Sequence, residues 1–133
     1  GRENPAATYA FYTGGLGWDG VLYDPDEVVF YQVGRGLLLS FFRRDMLAEE
    51  AGAAGPADAA PVTLGHNVGS SEDVDAVLAE AAAAGGSIRS PGTQRPWGGY
   101  SGYFADPDGY RWEVVFNPGL VVDGNGNVSI RIL

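Results

Sequence analysis

The chain has 133 residues, a formal charge of −9 and no cysteine. Without cysteine, neither a disulfide framework nor a thiolate metal site can form. All eight basic residues are arginine, which excludes Schiff-base chemistry on lysine. They are also too scattered to form the basic stripe that nucleic-acid binding requires. With 45% hydrophobic and 19% charged residues, the composition is that of a globular protein, and the length fits one domain.

No segment has the character of a membrane anchor or an export signal. The alanine-rich stretch from Ala76 to Ala84 is interrupted by Glu80 and is far shorter than the roughly 20 residues of a transmembrane helix. No basic and apolar leader opens the chain. An acidic surface also disfavours binding to anionic membranes. We therefore expect a soluble, cytoplasmic protein without a membrane partner.

The first part of the chain, about residues 1–42, predicts one helix followed by three strands. Asn4 is a good N-cap, and the helix from Asn4 to Tyr12 ends in a glycine-rich stretch. A short strand follows at Val21 to Tyr23. The runs Val28 to Val33 and Leu37 to Phe42 are rich in β-branched and aromatic residues, and the glycines between them predict a hairpin.

The second part, about residues 61–118, repeats this order after a linker at about 43–60, which could begin with one helical turn. Val62 to Val68 predicts a strand. Ser70 or Ser71 is the predicted cap of an amphipathic helix, and Ser70 has capping-box spacing to Asp73. Further strands are predicted around Ile88, Tyr100 to Ala105 and Tyr110 to Phe116. The two parts therefore predict an α+β fold of paired βαβββ modules, with the first strand of the first module missing from the sequence.

Four sequence runs resemble the vicinal-oxygen-chelate superfamily, which includes glyoxalases, bleomycin-resistance proteins and extradiol dioxygenases. AFYTGGLGW in the first module is similar to the helix-to-strand signature of that superfamily. LGHNV, DVDAVLAEAAAAGGSI and WGGYSGYFADPDGYRWEVVFNPG resemble the closing module of its glyoxalase-like members. The resemblance extends from about Asn4 to Gly119. It implies a single domain with an eight-stranded, cupped mixed sheet, often dimeric, whose cup commonly binds a divalent metal.

The resemblance also implies metal ligands on the first and last strands of each module. In the second module these positions are His66 and Glu113, which would suit Zn, Ni, Mn or Fe. In the first module one strand is missing, and Leu37 to Phe42 contains no carboxylate, histidine or glutamine. The alternative is that His66 and Glu113 bind no metal and are hydrogen-bonded inside a ligand pocket. Glu113 would then be the candidate general base.

Sixteen aromatic residues exceed what the core of a small domain requires. Flat rings with polar tips suit a planar or amphipathic ligand. Trp97 follows Arg95-Pro96 and precedes two glycines, so we expect it on a loop that a ligand can reach. The alternative is that most of these rings belong to the core or to a dimer interface. The candidates for lining a pocket are Trp18, Tyr31, Phe41, Trp97, Tyr100 and Tyr103.

Two functions remain open on the sequence. In one, the chain is a small-molecule-binding protein that acts as a metal-dependent lyase or isomerase on a substrate with adjacent oxygens. In the other, it is a metal-free protein of the antibiotic-resistance type that sequesters a planar ligand. The protein is expected to be a homodimer in either case. A tail at 119–133 follows the second module. Apolar and polar residues alternate from Val128 to Leu133, which predicts a strand that could cover an open sheet edge.

Overall fold

The computed structural model describes residues 2–50, 52 and 62–130. The chain divides into two compact units, and each is described by itself. The first unit comprises Gly1–Leu47 together with Gly119–Leu133, and the second comprises Ala48–Pro118. These bounds are close to those of the two modules expected from the sequence, with the tail joined to the first. The expectation that both modules form a single domain stays a prediction.

The first unit opens with a helix that begins where its capping residues predict. The Asn4 side chain accepts a hydrogen bond from the amide of Ala7, and helix α1 spans Pro5–Tyr9. A π-helical segment at Ala10–Gly15 continues it, so the helical stretch is longer than expected. Gly17 follows with φ of 77°, a left-handed conformation that suits glycine and ends the helix.

Three antiparallel strands follow in the order β1-β2-β3. They are β1 at Gly20–Asp24, β2 at Val28–Gly34 and β3 at Leu37–Phe42. The turn between β1 and β2 is stabilised by the Asp24 carboxylate, which accepts a hydrogen bond from the amide of Asp26. The predicted hairpin of β2 and β3 is confirmed.

An isolated parallel bridge joins Arg2 to Arg43, directly after β3. The Arg2 amide donates to the Phe42 carbonyl at 2.6 Å, and the Arg44 amide donates to the Arg2 carbonyl at 2.6 Å. The segment that leads into helix α1 therefore lies parallel to the chain at the end of β3. Helix α2, Arg44–Glu50, follows where the sequence had predicted a linker beginning with at most one helical turn.

The second unit is a complete βαβββ module with strand order β4-β7-β6-β5. Strand β4 is parallel to β7, and the other pairs are antiparallel. Ser70 caps helix α3 by accepting a hydrogen bond from the Asp73 amide, as its spacing predicted. The elements are β4 Leu64–Asn67, α3 Ser71–Ala83, β5 Ser87–Gln94, β6 Tyr100–Ala105 and β7 Arg111–Phe116.

Helix α3 packs on one face of this sheet. Val74 and Leu78 on the helix and Val114 on β7 form a buried cluster. Gly102 on β6 allows the close approach, because a Cβ atom there would lie 2.5 Å from the Leu78 side chain. Burying the cluster stabilises the unit by roughly 1.5–3 kcal/mol for each large side chain.

The tail forms a hairpin of its own, β8 at Leu120–Val122 and β9 at Val128–Ile130. The Asp123 carboxylate organises the turn by accepting hydrogen bonds from the amides of Asn125 and Asn127. A strand beginning at Val128 is therefore confirmed. Its partner is β8 rather than the edge of the β1-β2-β3 sheet, and residues 131–133 lie outside the described part.

The expected α+β fold class of paired modules is confirmed. The strands of the described residues lie in sheets of three, four and two strands rather than in the single eight-stranded sheet that the resemblance implied. None of the helices in the described ranges has the length and apolar character that crossing a bilayer requires.

Candidate functional site

The two faces of the β4-β7-β6-β5 sheet differ in chemistry. Side chains alternate between faces along a strand, and directly paired residues share a face. Gly102 pairs with Val114, and both face helix α3. Tyr103 pairs with Glu113, so these two residues lie on the opposite face. That face also carries Ser101 of β6 and Arg111 of β7.

Tyr103 and Glu113 are joined by a short hydrogen bond. The Tyr103 hydroxyl donates to Glu113 Oε2 at 2.6 Å. Tyr103 is completely buried, whereas Glu113 retains partial exposure. A phenol bonded to a carboxylate at this distance is a charge-assisted hydrogen bond, which is among the stronger polar contacts in proteins. One carboxylate oxygen is therefore fixed in direction while the residue stays in contact with solvent.

Arg95 extends the polar face beyond Tyr103. Its Nε donates to Ser101 Oγ at 2.8 Å, and its Nη2 donates to the Ser101 carbonyl at 3.2 Å and to Ser90 Oγ at 3.3 Å. The guanidinium carbon lies 6.0 Å from the centre of the Tyr103 ring, within the range of a cation–π contact. Arg95 is thus held rigidly, with only 14% of its side chain exposed.

Glu50, at the end of helix α2, is the second carboxylate at this face. Its Oε1 lies 3.6 Å from Arg95 Nε and accepts a hydrogen bond of 3.5 Å from Ser101 Oγ. Both distances exceed the 2.7–2.9 Å or so of a well-formed charge-assisted hydrogen bond. We call Glu50, Arg95, Ser101, Tyr103 and Glu113 the polar network.

The surroundings of Glu113 favour its protonated form. Burial is the main cause that raises the pKa of Glu113 to about 7, and the nearby carboxylate of Glu50 is the second. The Tyr103 hydroxyl and Arg95 act in the opposite direction and lower this pKa. Burial also raises the pKa of Glu50, while Arg95 and the Ser101 and Tyr103 hydroxyls counteract it. Burial and the two carboxylates raise the pKa of Tyr103, which therefore stays a hydrogen-bond donor. Glu113 therefore changes charge near neutral pH.

His66 does not join this network. In the parallel pairing of β4 with β7, His66 is in register with Val114 and Gly65 is in register with Glu113. His66 therefore lies on the helix-bearing face of the sheet, where it is exposed, and Glu113 lies on the other face. The expected sharing of one metal ion by His66 and Glu113 does not fit this arrangement. No group of three or more histidine, aspartate or glutamate side chains that could hold an ion occurs within the described residues.

Three of the aromatic candidates meet in the first unit. Tyr31 is buried in β2, its ring 5.6 Å from that of Trp18 and 6.2 Å from that of Phe41. Tyr12 from the helical segment stacks on Phe41 at 4.8 Å, and Thr13 is hydrogen-bonded to the Tyr31 hydroxyl at 3.0 Å. These contacts are those of a helix packed on its sheet.

The other three candidates lie at separate places in the second unit. Tyr100 is on the helix-bearing face and donates a hydrogen bond to Asp75 at 2.8 Å. Trp97 is 48% exposed on the β5–β6 loop, and its ring covers Gly99 so closely that a Cβ atom there would clash. Tyr103 alone joins Glu113. Within the second unit, the three candidates are therefore not brought together.

Glu50, Arg95 and Ser101 were not predicted as site residues from the sequence. Alternation along β6 places Ser101 on the same face as Tyr103, so Ser101 could have been found once Tyr103 was chosen. Arg95 lies just beyond the end of β5, and Glu50 lies in a segment that composition marked as a linker. No pattern in the sequence connects those two residues.

Comparison with known proteins supports the fold and the family. The model of the Glyoxalase/Bleomycin resistance protein/Dioxygenase superfamily matches residues 2–114. A glyoxalase-related enzyme from Fulvimarina pelagi is 36% identical, with 95% of this chain and 89% of that chain covered and a TM-score of 0.53. Comparison with curated proteins finds no match.

Two less similar structures show the fold alone. An NAD-dependent benzaldehyde dehydrogenase from Legionella pneumophila is 24% identical and has a TM-score of 0.68, with 86% of this chain and 92% of that chain covered. The Mn(II)-bound glyoxalase from Novosphingobium aromaticivorans is 22% identical and has a TM-score of 0.54, with 97% of this chain and 38% of that chain covered.

Module order, strand pairing and the polar face define an α+β protein of the paired βαβββ type. The chain belongs to the Glyoxalase/Bleomycin resistance protein/Dioxygenase superfamily.

Proposed function

We propose that this chain binds a small molecule with oxygens on adjacent carbons and catalyses proton transfer on it, as an isomerase or lyase of the glyoxalase type. Glu113 is the general base. The observation that carries the proposal is a partly buried glutamate whose pKa is raised to about 7 and whose Oε2 is fixed by the buried Tyr103. The 36% identical relative is described as an enzyme, which supports catalysis.

The chemistry follows from the state of Glu113. A general base is most effective when its pKa lies near the working pH, since it is then deprotonated often enough and still binds a proton strongly. Glu113 takes a proton from a carbon next to a carbonyl, which leaves an enolate, or an enediolate where that carbon carries a hydroxyl. In the second case, isomerisation is complete when Glu113 returns the proton to the neighbouring carbon and the hydroxyl proton moves to the oxygen of the former carbonyl. Tyr103 keeps its hydrogen bond throughout and orients the carboxylate.

A divalent metal is the cofactor that the family resemblance suggested, and a structurally similar glyoxalase is Mn(II)-bound. The described residues do not fit that group, because His66 and Glu113 face opposite sides of the sheet and Glu113 Oε2 is already hydrogen-bonded to Tyr103. The proposed reaction therefore uses side chains of the polar network. Trp97, half-exposed on its loop, is the aromatic residue that we propose contacts the ligand, and the protein is proposed to act as a homodimer in the cytoplasm.

A second candidate is metal-free sequestration of a ligand without turnover. The favouring observation is that Tyr103 and Glu113 satisfy each other in a 2.6 Å hydrogen bond, which is also what a rigid binding site requires. In this function Glu113 would accept a hydrogen bond from the ligand and would transfer no proton.

Deuterium exchange tests the proposal. The protein is incubated in D₂O with hydroxyacetone and, separately, with pyruvate, and loss of the proton signal next to the carbonyl is followed by NMR. We expect exchange above the buffer rate for at least one compound, lost in Glu113→Gln and retained in Glu49→Gln, an exposed residue of the same helix as Glu50. Exchange equal to buffer for both compounds would contradict catalysis, and saturable binding without exchange would favour sequestration.

A further inference from the structure

We propose that Arg95 and Ser101 form a carboxylate-binding subsite that the protein's own Glu50 fills, and that an anionic substrate occupies it by displacing Glu50. The substrate class this defines is a small 2-oxo or 2-hydroxy carboxylic acid. The inference deepens the proposed function and rests on it for the role of Glu113, although the subsite itself depends only on Arg95, Ser101 and Glu50.

Preorganisation of the cation is the first argument. Three hydrogen bonds from Arg95 to Ser90 and Ser101 fix its guanidinium on the same side of the sheet as Tyr103. A buried guanidinium with a planar, fixed set of donors is the group that best recognises a carboxylate. The cation is therefore in place before any ligand arrives.

The weakness of the internal partner is the second argument. Glu50 Oε1 is 3.6 Å from Arg95 Nε and 3.5 Å from Ser101 Oγ, so the carboxylate touches both groups without forming a short hydrogen bond to either. Its surroundings also disfavour its charged form, since burial raises the pKa of Glu50. An external carboxylate that approaches Arg95 more closely would therefore compete with it.

The position of the subsite identifies the ligand. Ser101 and Tyr103 are two residues apart on β6 and share a face, and Tyr103 touches Glu113. A carboxylate at Arg95 and Ser101 consequently places the next carbons of a short acid toward Glu113. A 2-oxo or 2-hydroxy acid has the adjacent oxygens that the proposed chemistry needs.

A second arginine gives this face further positive charge. Arg111 lies two residues before Glu113 on β7 and so on the same face. Its Nε is buried and has no hydrogen-bond partner among the described residues. Its Nη1 donates to the Gly109 carbonyl at 2.8 Å. A second guanidinium group on the same face as Arg95 favours an anionic ligand over a neutral or cationic one.

The test compares pyruvate with hydroxyacetone, in which a neutral CH₂OH replaces the carboxylate. Binding to the full chain is measured by ¹H–¹⁵N NMR titration, with Glu50→Ala to empty the subsite and Glu49→Ala as the matched control. We expect Glu50→Ala to bind pyruvate about tenfold more tightly than the unmodified protein, with shifts at Ser101 and Tyr103. Hydroxyacetone should show no such gain, and Glu49→Ala should behave as the unmodified protein.

The added variant Ser101→Ala in the Glu50→Ala background should lose much of the gain, because one donor of the subsite is removed. An unchanged pyruvate affinity in Glu50→Ala, an equal gain for hydroxyacetone, or shifts confined to other residues would each overturn the subsite. Tighter pyruvate binding by Glu50→Ala, with no deuterium exchange of either compound, would support the subsite and refute Glu113 as the base. Deuterium exchange of hydroxyacetone, without tighter pyruvate binding by Glu50→Ala, would support Glu113 as the base and refute the subsite.

Discussion

Tyr103 and Glu113 are directly paired on neighbouring antiparallel strands, and the tyrosine hydroxyl donates a 2.6 Å hydrogen bond to the glutamate. The pairing follows from register, since residues opposite each other on one face have Cβ atoms about 4.5–5.5 Å apart. Burial on this face raises the proton affinity of Glu113, and the phenol fixes its direction. The consequences can be measured without knowing the ligand.

Glu113→Gln should stabilise the protein at alkaline pH. The pKa of Glu113 is raised from 4.5 to about 7 on folding, so the unfolded chain loses its proton at lower pH than the folded one. The free energy of unfolding therefore falls as pH rises from 4.5 to above 7, by up to roughly 3 kcal/mol from this group. Glutamine cannot ionise. Urea unfolding at pH 5 and pH 8.5 should show a smaller pH dependence in the variant, and an identical dependence would contradict the raised pKa.

Tyr103→Phe should destabilise the protein more at pH 8.5 than at pH 5. The substitution leaves a mostly buried carboxylate without its donor, a loss of about 1–3 kcal/mol when the carboxylate is charged. Because the phenol hydrogen bond lowers the pKa of Glu113, that pKa should rise further in the variant. Unfolding curves at the two pH values check the stability. A larger loss at pH 5 would show that the hydrogen bond favours the protonated acid instead.

Much of the fold could be predicted because it depends on local patterns. Asn4 and Ser70 cap helices as expected, since capping needs only a side-chain oxygen a few residues before free amides. The β2–β3 hairpin follows from two runs rich in β-branched and aromatic residues joined by glycines. Helix α2 was not predicted in full, because an alanine- and glycine-rich continuation obscured its end.

The candidate site was only partly predictable. Glu113 and Tyr103 were both named from the sequence, but for different roles, because their pairing depends on the register of β6 and β7. His66 was expected to share a metal ion with Glu113 because the resemblance implied ligands on the first and last strands of the module. Alternation does not fix the register between two strands, and a shift of one residue moves a side chain to the other face.

His66→Ala tests that register. The side chain is exposed on the helix-bearing face, so its removal should change the free energy of unfolding by no more than about 0.5 kcal/mol. The pKa of Glu113 should stay the same, because the sheet separates the two groups. NMR titration of the variant provides the measurement. A clear change in the pKa of Glu113 would place both residues on one side.

Gly102→Ala tests the packing of helix α3 on the sheet. A Cβ atom there would lie 2.5 Å from the Leu78 side chain and 2.9 Å from the Ser90 carbonyl, so backbone must move. We expect a loss of about 1–3 kcal/mol, typical of overpacking. Gly65→Ala on β4 is the matched control, because its Cβ would meet nothing within 4 Å. Equal thermal stability of the two variants would contradict the close approach of α3 to β6.

The most direct test of Glu113 as the base is its own titration. Selective ¹³C labelling of glutamate, with Glu113→Gln to assign the signal, allows the carboxyl shift to be followed from pH 3 to pH 10. We expect a midpoint near 7, well above the ordinary value of 4.5. A midpoint near 4.5 would show a carboxylate that stays charged in ordinary solvent, and Glu113 would then lack the proton affinity on which the proposed reaction depends.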